Sequence, residues 1–393
     1  MSIETDIEVG LGRKEEIRPI LLRLAEAGDR EKLEQLFAKG LVQHVRDDYK
    51  EEQLELFGVQ NPTLVYTPDF KKLFAEHFKN LQKTISLLQH GVWVYFPWSS
   101  TLSHILEETE FQMVRTARNK NLINETEQEK FYNATVGIGG LSVGSSVAFA
   151  LALQGGAKRL KLADMDRLAL SNTNRILMGV DNLGVLKVEM VAKRIYEINP
   201  YTQIELFTDG LSPENIGKFF EGLDVMVDEL DNLAVKYLIR TEAKKRKVPV
   251  VMGADNGDNA VIDVERYDLD SNLQYFHGRL GEVTYEELSS LDKFGIGKTI
   301  TRHIGPENVT VRMQESLLEM GKTIVSWPQL GGAALLNGAS VAYCIRKILN
   351  GQPLENNRAL VVLDEKLDPG FAEPSAVLKR RETAKKFASI FGL

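Results

Sequence analysis

A glycine-rich segment gives the clearest chemical signal in the sequence. It runs from Gly137 to Gly144, has the sequence GIGGLSVG and lies between a predicted strand and a predicted helix. Glycines at such a turn let the backbone approach a phosphate, and the helix N-terminus presents free N–H groups and the positive end of its dipole. The segment therefore predicts a phosphate-binding turn formed by Gly137, Gly139, Gly140 and Ser142. A tight strand-to-helix turn without a ligand is the alternative.

Acidic side chains follow the next predicted strand. Asp164 and Asp166 come about twenty residues after the glycines, where a carboxylate accepts hydrogen bonds from a ribose. A nicotinamide-dependent enzyme would also have the glycine-rich turn and the acid at the end of the next strand. The next segment adds a carboxamide and two cations, Asn172, Arg175 and Lys187, which suit a triphosphate whose charge is neutralised during attack. For each of these side chains alone, a solvated surface position is the simpler interpretation.

A later predicted strand also ends in carboxylates. Residues 223–232 have the sequence LDVMVDELDN, and open α/β sheets bind ligands at the carboxyl ends of their strands. Asp231 is the candidate ligand of a magnesium ion, because Mg²⁺ prefers carboxylate oxygens. The alternative is that Asp231 only caps the following helix through its side-chain oxygen, and the two roles are compatible.

The apolar pattern predicts the elements that carry these side chains. From residue 132 onward strand-like and helix-like segments alternate, which is typical of an α/β fold with a doubly wound, mostly parallel, Rossmann-like sheet. We expect this domain at 111–393, with an irregular excursion at 268–325 that covers the site. A mainly helical domain is expected at 1–110, and the period of residues 14–40 predicts two short helices there. The predicted elements include the strands Arg159–Ala163 and Gln203–Phe207 and the helix Gly331–Leu349.

Composition limits the class of protein further. Of 393 residues, 43% are apolar and 26% are charged, as in globular chains, and the formal charge of −7 argues against general nucleic-acid binding. Cys344 is the only cysteine, which excludes an intrachain disulfide, a Cys-x-x-Cys zinc site and a dithiol redox centre. The acidic N-terminus lacks an export segment, and no run of about 18 apolar residues occurs. We therefore expect a cytoplasmic protein that does not contact the membrane.

Together, these motifs resemble those of one family, which contains the ThiF-like adenylyltransferases of the thiamine and molybdopterin pathways and the ubiquitin-activating enzymes. The resemblance is close over about residues 115–267 and includes the glycine-rich turn, the Asp-x-Asp strand end, a Ser-Asn-x-x-Arg segment, the following lysine and an Asp-Asn pair. Members of this family join ATP to a carboxylate and form an acyl-adenylate and pyrophosphate. The resemblance implies an ATP-dependent enzyme acting on a carboxylate of a peptide, a small protein or a small molecule.

The resemblance also implies roles for single residues. Asp164 would bind the ribose and Asp231 the Mg²⁺ ion, while the ATP phosphates would be bound by Asn172, Arg175, Lys187 and Arg118. Arg118 ends an Arg-x-x-Arg segment whose second arginine often reaches the ATP of a partner subunit. A homodimer is therefore expected, with Arg118 acting in cis or in trans.

Two departures from the family pattern change the expected chemistry. Ser142 stands where a glycine is usual, and the zinc-binding and thioester-forming cysteines are absent. Cys344 lies in an apolar predicted helix, where we expect a buried, inert thiol. Without these cysteines, the chemistry that remains is adenylation followed by direct capture of the acyl group. A degenerate nucleotide-binding scaffold or sensor without turnover and an NAD-dependent oxidoreductase are the alternatives, and His277 and Arg279 in the excursion are candidates for substrate contact.

Overall fold

A computed structural model describes residues 16–393 of the chain. These residues divide into two compact units. The residues up to Glu125 together with Ala192–Tyr201 form the first unit, and Thr126–Val191 together with Thr202–Leu393 form the second. The predicted boundary at residue 110 stays a prediction. The expectation of an N-terminus without an export segment falls on residues 1–15, outside the described range.

The first unit contains a four-stranded sheet as well as helices, and the prediction of a mainly helical domain at 1–110 stays a prediction. The strands have the order β1-β3-β4-β2, with β1–β3 and β3–β4 antiparallel and β2–β4 parallel. They are β1 Ile20–Leu22, β2 His44–Asp47, β3 Val92–Phe96 and β4 Thr101–Ile105. The helices are α1 Ala27–Ala38, α2 Tyr49–Gln60, α3 Phe70–Thr84 and α4 Glu108–Arg115.

The prediction of a helix at the start of this unit was wrong for β1. Leu21 pairs with Val94 and Leu22 pairs with Trp93 in the antiparallel ladder. Leu22 is buried in a cluster with Trp93 and Leu33. A segment this short takes its conformation from the strand it pairs with, because cross-strand packing outweighs local helical preference.

The second unit contains a seven-stranded sheet with the order β11-β10-β9-β8-β5-β6-β7. Strands β5 to β9 are parallel where they pair, whereas β10 is antiparallel to both β9 and β11. The strands are β5 Thr135–Gly139, β6 Arg159–Ala163, β7 Gln203–Phe207, β8 Val225–Asp228, β9 Val250–Asn256, β10 Asn259–Glu265 and β11 Arg358–Val361. The predicted doubly wound, mostly parallel sheet is thereby confirmed.

The helices from Glu125 onward follow the predicted alternation closely, and the part of one of them after Val191 belongs to the first unit. From Glu125 onward they are α5 Glu125–Asn133, α6 Val143–Leu153, α7 Lys187–Ile198, α8 Ile216–Phe219, α9 Leu233–Arg246, α10 Tyr285–Ser289, α11 Lys293–Ile304, α12 Val311–Leu318, α13 Gly331–Leu349, α14 Leu363–Leu367 and α15 Pro374–Ile390. α13 has the predicted bounds, and so do β6 and β7. The segment 268–325 holds the short helices α10 to α12 and is therefore less irregular than expected. Every helix among residues 16–393 is too short or too polar to cross a bilayer.

Candidate nucleotide-binding site

The glycine-rich turn lies where the strand order of the sheet reverses. The chain leaves β5 for β6 and β7 on one side and returns to β8 on the other side. Side chains and ligands meet at such a point because the connections at the carboxyl ends of the two neighbouring strands diverge. The turn therefore opens a crevice at the carboxyl end of the sheet, between the loops that follow β5 and β8.

Gly140 is the residue that lets the turn pack closely on the loop after β8. Its φ is +84°, and an added Cβ would lie 2.4 Å from the carbonyl oxygen of Glu229. Two backbone hydrogen bonds fix this approach: Gly140 N–H donates to Ala163 at 2.9 Å, and Glu229 N–H donates to Gly139 at 2.8 Å. No other residue type fits here, since an L side chain at this φ meets the backbone.

Asp164 ties the glycine-rich turn to the end of β6. Its carboxylate accepts the N–H of Leu141 at 2.7 Å through Oδ2 and the N–H of Asp166 at 2.8 Å through Oδ1. The residue is only 7% exposed. Burial raises the pKa of Asp164, and the Leu141 hydrogen bond and the charge of Lys187 offset part of that rise. Its predicted contact with the ribose stays a prediction.

Lys187 is held beside both acids by its position at the start of α7. The Nζ atom donates to Asp166 Oδ2 at 2.8 Å and lies 3.8 Å from Asp164 Oδ2. The backbone N–H of Lys187 also donates to the carbonyl of Asp166 at 2.9 Å. The lysine is 6% exposed, whereas the Asp166 side chain is 67% exposed. A buried amino group therefore stands next to the turn, paired with the carboxylates of Asp166 and Asp164.

Arg175 is attached directly to the turn by the serine that replaces the usual glycine. Its Nε donates to Ser142 Oγ at 3.0 Å, and one guanidinium nitrogen donates to Asn174 Oδ1 at 3.0 Å. Asn172, by contrast, uses its carboxamide oxygen to accept Ala169 N–H at 3.1 Å and so closes its own turn. Ser142 therefore positions an arginine at the turn, a role that the sequence did not predict.

Asp231 follows β8 as an exposed residue and does not cap α9. The neighbouring Asn232 is the cap: its Oδ1 accepts the N–H groups of Ala234 at 3.0 Å and Val235 at 3.1 Å. The capping alternative for Asp231 is therefore wrong, and its carboxylate remains available to a ligand. No cluster of three or more histidine, cysteine or acidic side chains that would hold a metal occurs among residues 16–393.

A cavity of about 370 Å³ opens beside the turn and reveals two acids that sequence reasoning missed. Glu229 accepts Gly253 N–H at 2.8 Å, and Asp255 accepts the amides of Asn337 at 2.5 Å and Gln329 at 3.2 Å. Both acids line the cavity together with Ser142, Val143 and Asp231. The sequence signal for Glu229 was its place in the acidic run after β8. Asp255 belongs to β9 and reaches the cavity from that strand.

The excursion contributes apolar residues to this cavity rather than the two polar residues predicted to touch substrate. His277 Nε2 is 2.8 Å from the carbonyl of Val264, and Arg279 contacts Asn357 and lies 3.5 Å from Asp263. Neither side chain lines the cavity, because both are bonded to β10 or to the residue before β11, and their contact with substrate stays a prediction. Helices α11 and α12 line the cavity with Ile296, Ile300, Thr301, His303, Ile304, Met313 and Leu317.

Two further predicted residues belong to other segments of the chain. Arg118 is an exposed residue of the first unit, in the short 3₁₀ turn Ala117–Asn119, and its contact with ATP phosphates stays a prediction. Cys344 is buried in α13, and burial raises the pKa of its thiol to about 11. The expected burial of the thiol is confirmed, and a raised pKa fits its expected inertness, because such a thiol is protonated at neutral pH.

The strand order and the turn define a doubly wound α/β protein with a nucleotide-type crevice. Residues 116–266 match the model of the ThiF family, the family that the motifs resemble. The uncharacterized protein MT1398 of Mycobacterium tuberculosis is 35% identical over 330 residues, which is 82% of this chain and 46% of that protein.

Two further relatives are named for an enzymatic activity. The tRNA threonylcarbamoyladenosine dehydratase of Escherichia coli is 33% identical over 177 residues, 44% of this chain and 63% of that protein. A crystal structure of that dehydratase covers 60% of this chain and 94% of its own, at 22% identity and a TM-score of 0.44. The molybdopterin-synthase adenylyltransferase of Haemophilus influenzae is 29% identical over 157 residues, 40% of this chain and 59% of that protein. The chain thus matches less than two thirds of the length of each of these relatives.

Proposed function

We propose that the protein is an ATP-dependent adenylyltransferase that activates a carboxylate as an acyl-adenylate. The observation that carries the proposal is the attachment of two cations to one phosphate-type turn, Arg175 through Ser142 and Lys187 through Asp166 and Asp164. A helix N-terminus flanked by fixed cations suits a polyphosphate. The ThiF-family match and the adenylyltransferase among the relatives support the same activity.

The proposed reaction needs charge neutralisation and positioning more than a protein base. An oxygen of the substrate carboxylate attacks the α-phosphorus of ATP, and the bond from that phosphorus to the bridging oxygen breaks, so that pyrophosphate leaves with the electron pair. Lys187 and Arg175 offset the charge that develops on the phosphates, and the turn holds the nucleotide in line. The absence of any other cysteine fits direct capture of the acyl group without a protein thioester.

Asp231 fits the role of magnesium ligand in this proposal. Mg²⁺ usually keeps several waters and binds through one or two carboxylates plus phosphate oxygens, so one exposed carboxylate beside the crevice suffices. When bound, the ion would neutralise charge on the ATP phosphates. The chain's own contribution is to hold the carboxylate at the end of β8, next to the capped start of α9.

Three further features belong to the same proposal. We infer that Asp164 contacts the ribose, since its carboxylate lies between the turn and the end of β6. Arg118 contacts the phosphates, in cis or from the second subunit of a homodimer. The protein works in the cytoplasm, a reducing compartment that suits a chain with a single cysteine.

Exchange of labelled pyrophosphate into ATP, measured with a panel of carboxylic acids, tests the proposal. Lys187→Met should lower the exchange rate by about 10²–10³-fold, the usual cost of one removed transition-state donor. Lys366→Met is the matched control, since that lysine side chain is 76% exposed and pairs with its neighbour Glu365. Binding of ATP without exchange for any acid would favour the sensor, and a preference for NAD would favour the oxidoreductase.

A further inference from the structure

The guanidinium group of Arg175 is fixed at two of its three nitrogens. Nε donates to Ser142 Oγ at 3.0 Å, and Nη1 donates to Asn174 Oδ1 at 3.0 Å and to the carbonyl of Ser171 at 3.3 Å. None of the hydrogen bonds formed among residues 16–393 uses Nη2, so this nitrogen is left to donate to a phosphate oxygen. The direction of Nη2 therefore depends on what holds Ser142 and Asn174 in place.

Asn174 is held by the segment that leads into α13. Its Nδ2 donates to the carbonyl of Gln329 at 2.8 Å, across 155 positions of the chain. The carboxamide of Asn174 therefore forms a bridge, because its oxygen accepts from Arg175 while its nitrogen donates to Gln329. Asn174 is exposed, and an exposed carboxamide can be satisfied by water. Burial does not account for this bridge.

The backbone of Asn174 also lies against the first residue of α13. An added Cβ at Gly331 would be 2.5 Å from the carbonyl oxygen of Asn174. Contacts between carbon and oxygen usually begin at about 3.3 Å, so the glycine permits an approach that a side chain would prevent. At Gly332, the next residue of the same helix, an added Cβ meets no atom of residues 16–393 within 4 Å. The close fit is confined to the residue that touches Asn174.

Hydrogen bonds fix the start of α13 to strand β9. The side chain of Gln329 donates to Asp255 Oδ2 at 3.2 Å. The carboxamide of Asn337, which is fully buried in α13, donates to Asp255 Oδ1 at 2.5 Å. One carboxylate thus holds both the segment before α13 and the second turn of that helix. The bridge from Asn174 therefore ends on a well-fixed part of the fold.

Helix α13 is also packed on the helix that begins at the glycine-rich turn. At Gly338 of α13, an added Cβ would lie 2.6 Å from the backbone of Ser146 in α6. Helix α6 starts one residue after Ser142, the other partner of the Arg175 side chain. The contacts therefore close a ring that leads from the turn through Arg175 and Asn174 to α13 and back through α6.

We propose that Asn174 is a positioning residue that orients Arg175 toward the ATP phosphates from the start of α13. The inference rests on the proposed function, which places those phosphates at the glycine-rich turn. Ser142 holds the guanidinium group on the side of the turn, and Asn174 holds it on the side of α13. A side chain held from both sides loses less freedom when it binds a ligand, which strengthens binding. Asn174 acts on the nucleotide through Arg175 alone.

Titration calorimetry with Mg·ATP and with adenosine measures this role. Asn174→Ala should lower the affinity for Mg·ATP about 3–10-fold, the effect of one hydrogen bond. The affinity for adenosine should not change, because adenosine has no phosphate for Arg175 to contact. Gly331→Ala should cause a similar loss, since its Cβ displaces Asn174 by about 1 Å. Gly332→Ala is the matched control and should bind Mg·ATP as the wild type does.

A double-mutant cycle shows whether Asn174 acts through Arg175. The variant that combines Asn174→Ala with Arg175→Ala should bind Mg·ATP no more weakly than Arg175→Ala alone, because the arginine that Asn174 orients is already absent. Losses that multiply in the double variant, an equal loss of affinity for adenosine, or equal ATP affinity of Gly331→Ala and Gly332→Ala would overturn the inference.

The same titrations separate this inference from the proposed function. Failure of the wild-type protein to bind Mg·ATP would refute the proposed function itself. A loss of affinity in Arg175→Ala without any loss in Asn174→Ala would refute only the inference.

Discussion

Replacing Gly140 by alanine tests whether the glycine-rich turn depends on its close approach to the loop after β8. The new Cβ would lie 2.4 Å from the carbonyl oxygen of Glu229, so the two backbones must separate by about 1 Å to reach ordinary contact. Gly222→Ala is the matched control: its φ is +70°, but an added Cβ meets no atom of residues 16–393 within 4 Å. Both variants carry the backbone strain, and only Gly140→Ala carries the clash.

The expected losses in the free energy of unfolding follow from the backbone strain and from the clash. A left-handed alanine costs about 1–2 kcal/mol, and the stiffer unfolded chain returns about 0.4–1 kcal/mol, so Gly222→Ala should lower the free energy of unfolding by about 1 kcal/mol. The forced separation adds about 1–3 kcal/mol, which gives about 2–4 kcal/mol for Gly140→Ala. Urea denaturation measures both losses, and calorimetry should show weaker Mg·ATP binding for Gly140→Ala alone. Equal loss of stability in the two variants would refute the reasoning.

Three further variants test the surroundings of the site. Asp263→Asn should lower the free energy of unfolding by about 3–5 kcal/mol in urea titrations, because it leaves buried Arg358 without its paired charge; an unchanged midpoint would contradict this. Glu229→Gln should gain stability relative to the wild type as pH rises above the ordinary pKa of glutamate, because burial raises the pKa of Glu229 and deprotonation therefore destabilises the fold. The gain should vanish at pH 4, and a gain that is equal at pH 4 and pH 8 would count against the assignment. Ser142→Ala should weaken ATP binding about 3–10-fold by freeing Arg175, whereas Ser142→Thr, which keeps the hydroxyl, should weaken it less.

Much of the second unit could be predicted because its elements are punctuated in the sequence. Glycines end β5, and the apolar runs of β6 and β7 are bounded by charged or polar residues, so their limits were visible. The turn and the side chains of Asp164 and Lys187 were also predictable, since they follow strand ends that must meet at one edge of a parallel sheet.

The parts that escaped prediction depend on contacts between distant segments. Asp255 joins the site because β9 pairs beside β8, and its partners Asn337 and Gln329 lie 82 and 74 positions further along the chain. His277 looked accessible in a glycine-containing segment, yet a hydrogen-bonding contact with Val264 holds it against β10. Local patterns do not encode such pairings, because they depend on which strands become neighbours in the folded sheet.

The central claim is that the glycine-rich turn and its two cations bind ATP. Titration calorimetry of Mg·ATP into the wild-type protein and into Arg175→Ala tests it without knowledge of the acyl substrate. We expect one saturable site per chain in the wild type and an affinity at least about 10-fold lower in the variant, the effect of one lost charged hydrogen bond. Tighter binding of NAD than of ATP, or equal ATP affinity in the two proteins, would contradict the account.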